Sequence, residues 1–138
     1  MKPTIQPGDT VTADMSAYAY RSPNRWDVVV FRPVDERYKD ALWAMRVVGL
    51  PGERVTFNPG GNILIDDKAL QQPAQIASIE YSLPSHDPFT IGPVPLAHPF
   101  RIPADSYYVL GDNVRGANDS RYWGALPRKN IVGKVLGK

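Results

Sequence analysis

Apolar residues along this chain come in short runs that are rich in Val, Ile and aromatic side chains and closed off by Pro, Gly, Asn or Asp. Asp27-Val-Val-Val-Phe-Arg32 and Ser106-Tyr-Tyr-Val-Leu-Gly111 are typical, and few runs are long enough for a helix. That pattern predicts β structure. Strands are expected at about 9–13, 27–32, 42–49, 54–58, 62–65, 106–111 and 131–136. Only 16–21 and 127–130 read as short helical turns.

Gly60-Gly61 stands between Val55-Thr-Phe57 and Ile63-Leu-Ile65 and reads as a hairpin connection, because Gly accepts the positive φ of a tight turn. Residues 71–103 differ in kind. They hold seven of the fourteen prolines and both histidines, so backbone donors are depleted and an irregular excursion on a β scaffold is expected. With 138 residues and no internal repeat, a single domain spanning 1–138 is expected.

Charge narrows the function classes. Sixteen basic residues against fourteen acidic ones leave a net charge of +2, and Lys and Arg are scattered, so nucleic acid is not an expected partner. With no Cys, neither a disulfide framework nor a thiolate metal site is available. No window approaches the ~18 to 20 apolar residues that span a bilayer, and Met1-Lys-Pro-Thr4 has no apolar signal-peptide core. His86 and His98 sit beside prolines in the excursion and read as loop residues, and no metal site or cofactor is indicated.

Four stretches carry the chemical information, in this order: Met1-Lys-Pro-Thr-Ile-Gln-Pro-Gly-Asp9, Arg25-Trp-Asp-Val-Val-Val-Phe31, Met45-Arg-Val-Val-Gly-Leu-Pro-Gly-Glu53 and Gly111-Asp-Asn-Val-Arg-Gly-Ala-Asn-Asp-Ser-Arg-Tyr-Trp-Gly124. Together they span almost the whole chain and resemble the boxes of the type I signal peptidases. The resemblance implies a mainly β fold of coiled antiparallel sheets, of the signal peptidase I and LexA-like type. It also implies serine endopeptidase chemistry without a cofactor, in which a buried neutral Lys takes the proton from an attacking Ser while a second Ser orients the Lys amine.

On this sequence the three positions of that relay carry no working group. The nucleophile's position precedes Met1, the base position is Met45 and the orienting position is Ala117. A thioether cannot serve as a base, whereas its unbranched chain fills a Lys-sized apolar slot. Ala117 fits the same account, because a hydroxyl without an amine to meet would lack a partner. Exposed Lys2 would hold its proton and make a poor substitute.

The resemblance assigns the remaining box residues as well. Arg46, Asp112, Asn113, Asp119, Ser120 and Arg121 would support the site, with Gly111 allowing a tight turn. Met1, Ile5, Leu42, Trp43 and Ala44 would line a cleft for an extended peptide or preprotein segment, Trp43 being the strongest functional candidate and Ile5 and Ala44 equally readable as core. The expected setting is the extracytoplasmic face of the cytoplasmic membrane, reached through an anchor upstream of this sequence.

Two functions follow. One is a catalytically degenerate member that binds a peptide or partner protein during export or surface-protein assembly. The other is a soluble fragment of an active membrane-anchored signal peptidase whose nucleophile lies upstream of Met1. Self-cleaving and conjugation-type relatives of the same scaffold match Gly49-Leu-Pro-Gly52 and the last box less well.

Overall fold

A computed structural model describes residues 1–83 and 96–137. Ten strands are seen among them: β1 Thr12–Asp14, β2 Val28–Phe31, β3 Trp43–Gly49, β4 Arg54–Phe57, β5 Ile63–Ile65, β6 Lys68–Ala69, β7 Phe100–Arg101, β8 Ser106–Leu110, β9 Leu126–Pro127 and β10 Ile131–Gly137. All pairings are antiparallel and give two sheets, one ordered β1-β10-β2-β3-β8-β9 and one ordered β6-β5-β4-β7. The mainly β expectation holds.

Side-chain alternation along β3 and β8 builds two cores. Met45, Val47, Tyr107 and Val109 point into one, with Val29, Phe31, Leu126 and Ile131. Val48, Tyr108 and Leu110 point into the other, with Val55, Ile63, Ile65, Ile79, Tyr81 and Ile102. A strand buried on both faces needs a continuous apolar run, which is what Ser106-Tyr-Tyr-Val-Leu110 supplies.

The expected hairpin is present. Val55 faces Ile65 and Phe57 faces Ile63, and the connection closes with Gly61 at φ +83 and its N–H on the Asn58 carbonyl at 2.8 Å. Other expectations shift. The strand expected at 9–13 begins only at Thr12, because Pro3, Pro7 and Gly8 at φ +90 fold the first residues into turns. Residues 16–21 form one hydrogen-bonded turn, Ala19 N–H to Ser16 carbonyl, with no helix assigned. The turn at 127–130 is a 3₁₀ segment, Arg128–Asn130, that follows β9.

Three short helical pieces had not been expected: α1 Ser120–Trp123 and 3₁₀ turns at Glu36–Tyr38 and Ala74–Ile76. The described flanks of the 71–103 excursion are more ordered than its prolines suggest. Ile76, Ile79, Tyr81 and Ile102 enter the second core, Ser82 bridges Asn62, and β7 pairs with β4. The middle of the excursion, including His86, lies outside the described residues.

Candidate functional site

Two buried ion pairs fix the floor of the site. Arg46 on β3 donates from Nε to Asp112 Oδ1 at 2.9 Å and from Nη2 to Oδ2 at 2.6 Å, with both side chains nearly inaccessible. Arg46 Nη1 reaches the Trp26 carbonyl at 3.0 Å, Tyr81 donates its hydroxyl to Asp112 Oδ1 at 2.6 Å, and Thr4 donates to Oδ2. Asp112 thus draws the first, third and fourth boxes together through side chains, and Arg46 adds the second through a carbonyl. Burial alone would lower the Arg46 pKa, yet its bonds to Asp112 prevail and raise it. Burial and the Asp112 charge together push the Tyr81 hydroxyl upward.

The last box is folded by its own pair. Asp119 caps α1 through the Arg121 N–H, receives Arg121 Nε and Nη2 at 2.8 Å each, and accepts the Gly111 N–H at 3.0 Å. Arg121 also holds the Ser82 and Val114 carbonyls, and Ser120 Oγ accepts the Val109 N–H at 2.9 Å. Asn113 stands apart, exposed at the box's turn. Gly111 was expected to be needed for turn geometry, but its φ is not positive. Space is the reason, since a Cβ there would lie 2.4 Å from the Ala117 Cβ.

At positions 45 and 117, which the resemblance assigns to the proton relay, the surroundings are apolar or committed. Met45 is 7% exposed and belongs to the first core. Arg46 pairs with Leu110, so the register brings Met45 level with Gly111, which lies against half-buried Ala117. The nearby carboxylates, Asp112 and Asp119, are each held in the ion pairs just described. Lys2 is exposed.

Beside this floor runs an apolar cleft of about 470 Å³. It brings together all five residues expected to line it, Met1, Ile5, Leu42, Trp43 and Ala44. Sequence reasoning missed Val11, Ala13, Met15, Val30 and Val135; Ala13 and Val135 enter through pairing of β1 with β10, and Val30 through pairing of β2 with β3. Val30 faces Ala44. Only that pairing was foreseeable from the sequence, because β1 and β10 come from opposite ends of the chain.

The backbone of the cleft is also incomplete on one side. β2 pairs along Trp43–Arg46, whereas β8 joins β3 only from Arg46 onward because the chain turns away at Gly111. Among the described residues, Trp43–Met45 therefore present an edge without a neighbouring strand, the arrangement that strand addition uses. Trp43 itself is placed differently from expectation. Its ring shares the Met45 side of β3 and packs on Phe31 at 6.3 Å and Tyr38 at 5.4 Å, so its contribution to the cleft is not that of a ring standing in it.

His98, read from sequence as a loop residue, lies in an aromatic pocket. Its ring is edge-on to Phe57 at 4.7 Å and its Nε2 is 3.1 Å from the hydroxyl of Tyr108, in the middle of β8. Burial lowers its pKa, and a hydrogen bond to the Leu96 backbone opposes that only in part.

A family model described as signal peptidase, peptidase S26, matches residues 1–137. The chain belongs to that family. A signal peptidase I from Leptolyngbya laminosa is 33% identical over 141 residues, covering 99% of this chain and 62% of the relative. A probable signal peptidase I-2 from Synechocystis is 34% identical over 140 residues, covering 99% and 57%. This signal peptidase family domain thus spans about three-fifths of the length of those curated relatives. The crystal structure of a signal peptidase I from Enterococcus faecalis superposes with a TM-score of 0.57 at 26% identity, over 83% of this chain and 97% of that one.

Proposed function

We propose that this signal peptidase family domain has exchanged its proton relay for packing and binds an extended peptide or preprotein segment without cutting it, in export or surface-protein assembly. Its place would be the extracytoplasmic face of the cytoplasmic membrane. The observation that carries this reading is Met45. At the position of the base stands a thioether inside the hydrophobic core, and at the position of the orienting hydroxyl stands the methyl group of Ala117. Among the described residues, the carboxylates nearest them, Asp112 and Asp119, are bound to Arg46 and Arg121.

Peptide binding asks less of the site. The apolar walls of Met1, Ile5, Leu42 and Ala44 stand beside the unpaired edge of β3. A peptide laid there gains main-chain hydrogen bonds and places alternate side chains against the small Ala44.

The test is a labelled synthetic peptide with small apolar residues at alternate positions, followed by fluorescence anisotropy for binding and mass spectrometry for cleavage. Saturable binding, weakened by Ala44→Trp, with the peptide intact after prolonged incubation is expected. Cleavage by the 138-residue domain that a single substitution removes, or binding indifferent to Ala44→Trp, defeats the proposal.

A second reading is favoured by the names of the relatives, which are signal peptidases. In it the domain is part of an active membrane-anchored endopeptidase with its Ser ahead of Met1, and it needs a base other than Met45. Extending the chain upstream with its natural coding sequence and assaying preprotein cleavage separates the two.

A further inference from the structure

The wall of the peptide cleft that Met1 and Ile5 form comes from a stretch poorly suited to a sheet. Pro3 and Pro7 lack the N–H that a ladder needs, and β1 begins only at Thr12. A single turn organises the stretch instead, with the Ile5 N–H on the Met1 carbonyl at 2.9 Å. Met1, Thr4 and Ile5 are half-buried while the other residues of 1–9 are exposed, so one side of that turn faces the domain.

Thr4 lies in this inward row with the two wall residues. Its hydroxyl donates to Asp112 Oδ2 and accepts from Arg46 Nη2 at 3.3 Å. The hydrogen bonds of Gln6, by contrast, close inside the stretch, its N–H on Asp9 and its side-chain amide on the Pro3 carbonyl. A second tie to the domain runs from the Asp112 N–H to the Met1 sulfur at 3.5 Å, and it is weak because a thioether is a poor acceptor. Asp112 does not depend on Thr4 in return. It also accepts from Arg46 Nε and Nη2 and from the Tyr81 hydroxyl, so the buried pair stays satisfied without the Thr4 hydroxyl. The cost of losing that hydroxyl therefore falls on the turn.

We propose that Thr4 is a positioning residue for peptide binding, its hydroxyl fixing the Met1 and Ile5 wall of the cleft to the buried Arg46–Asp112 pair. The proposal rests on the reading of the cleft as a peptide site. A hydrogen bond to a carboxylate is stronger than one between neutral groups, and here it holds the wall in place before the peptide arrives. Without it, the turn must be ordered as the peptide binds, and affinity falls by that cost.

The experiment compares the 138-residue domain with Thr4→Val, which keeps the shape and deletes the hydroxyl, and with Thr4→Ser, which keeps the hydroxyl. Affinity is read with the labelled peptide described above, and the wall is read from the methyl resonances of Met1 and Ile5 in the free, ¹³C-methyl-labelled proteins. Thr4→Val is expected to weaken binding roughly fivefold or more and to move both methyl signals toward random-coil positions, with Val109 and Leu126 unmoved. Thr4→Ser is expected to stay within about twofold of the parent and keep the parent's signals. The proposal is overturned if Thr4→Val binds like the parent, if Thr4→Ser loses as much affinity as Thr4→Val, or if the Val109 and Leu126 methyls move while those of Met1 and Ile5 stay. A parent that binds no peptide overturns the reading of the cleft and with it the role in affinity. Unmoved Met1 and Ile5 signals in Thr4→Val overturn the positioning role alone.

Discussion

A β carbon added to Gly111 would stand 2.4 Å from the Cβ of Ala117. The turn that leaves β8 and the segment that enters α1 thus meet through a hydrogen atom on one side and a methyl group on the other. Gly111→Ala should lower unfolding stability by about 1–3 kcal/mol through overpacking. Pairing it with Ala117→Gly should recover part of the loss, since the two sites share one contact. Urea unfolding of the four proteins in a double-mutant cycle measures the coupling.

Asp112 carries the larger structural consequence. Asp112→Ala would leave the Arg46 guanidinium, in a residue 6% exposed, without its carboxylate, and breaking a buried pair on one side costs about 3–5 kcal/mol. Arg46→Met with Asp112→Leu should be far milder than Asp112→Ala, because no charge is then stranded. Denaturant midpoints compared at one pH decide this.

Met45 separates an apolar slot from a chemical one. Met45→Leu conserves volume and should cost less than about 1.5 kcal/mol. Met45→Lys places an ammonium among Val29, Phe31 and Val47, and a Lys pKa lowered by about 3 units corresponds to about 4 kcal/mol at neutral pH. In that variant the unfolded chain binds the proton more tightly, so the penalty should shrink as pH rises toward about 10. An unfolding series from pH 7 to 10 reads it directly.

His98 predicts a milder pH effect of the same sign. Burial holds its folded pKa below the ordinary value of 6.5, so between the two values the unfolded chain carries more protons. The stability His98 contributes is complete above about pH 6.5 and declines as pH falls through that value toward the folded pKa. Urea midpoints at pH 7.5 and 5.5 should differ more for the parent than for His98→Asn, with the two proteins' profiles running parallel above pH 7.

Much of this fold could be read before any coordinates. Val55-Thr-Phe57, Gly60-Gly61 and Ile63-Leu-Ile65 declare a hairpin locally, and Ser106-Tyr-Tyr-Val-Leu110 declares a strand buried on both faces. The boxes and their flanks named Met1, Ile5, Leu42, Trp43 and Ala44, which the structure brings to one cleft. Other features depend on distant partners. That Ala13 meets Val135 follows from β1 pairing with β10, and nothing near either residue signals it. The His98 pocket likewise requires Phe57 and Tyr108 from separate strands. α1 was legible and overlooked: Asp119 caps it and Gly124 ends it at φ +88, the start and stop signals of a short helix.

Asp112 accepts from Arg46, Tyr81 and Thr4, while Asp119 accepts from Arg121 and Gly111. Neither carboxylate relies on position 45 or 117 for a hydrogen bond. On the proposed reading, shape and bond-breaking draw on separate residues, and selection for folding alone would police the two aspartates while leaving position 45 open to any apolar side chain of similar bulk. A screen for soluble expression would rank such sequences alike, whether or not they could ever cut a peptide.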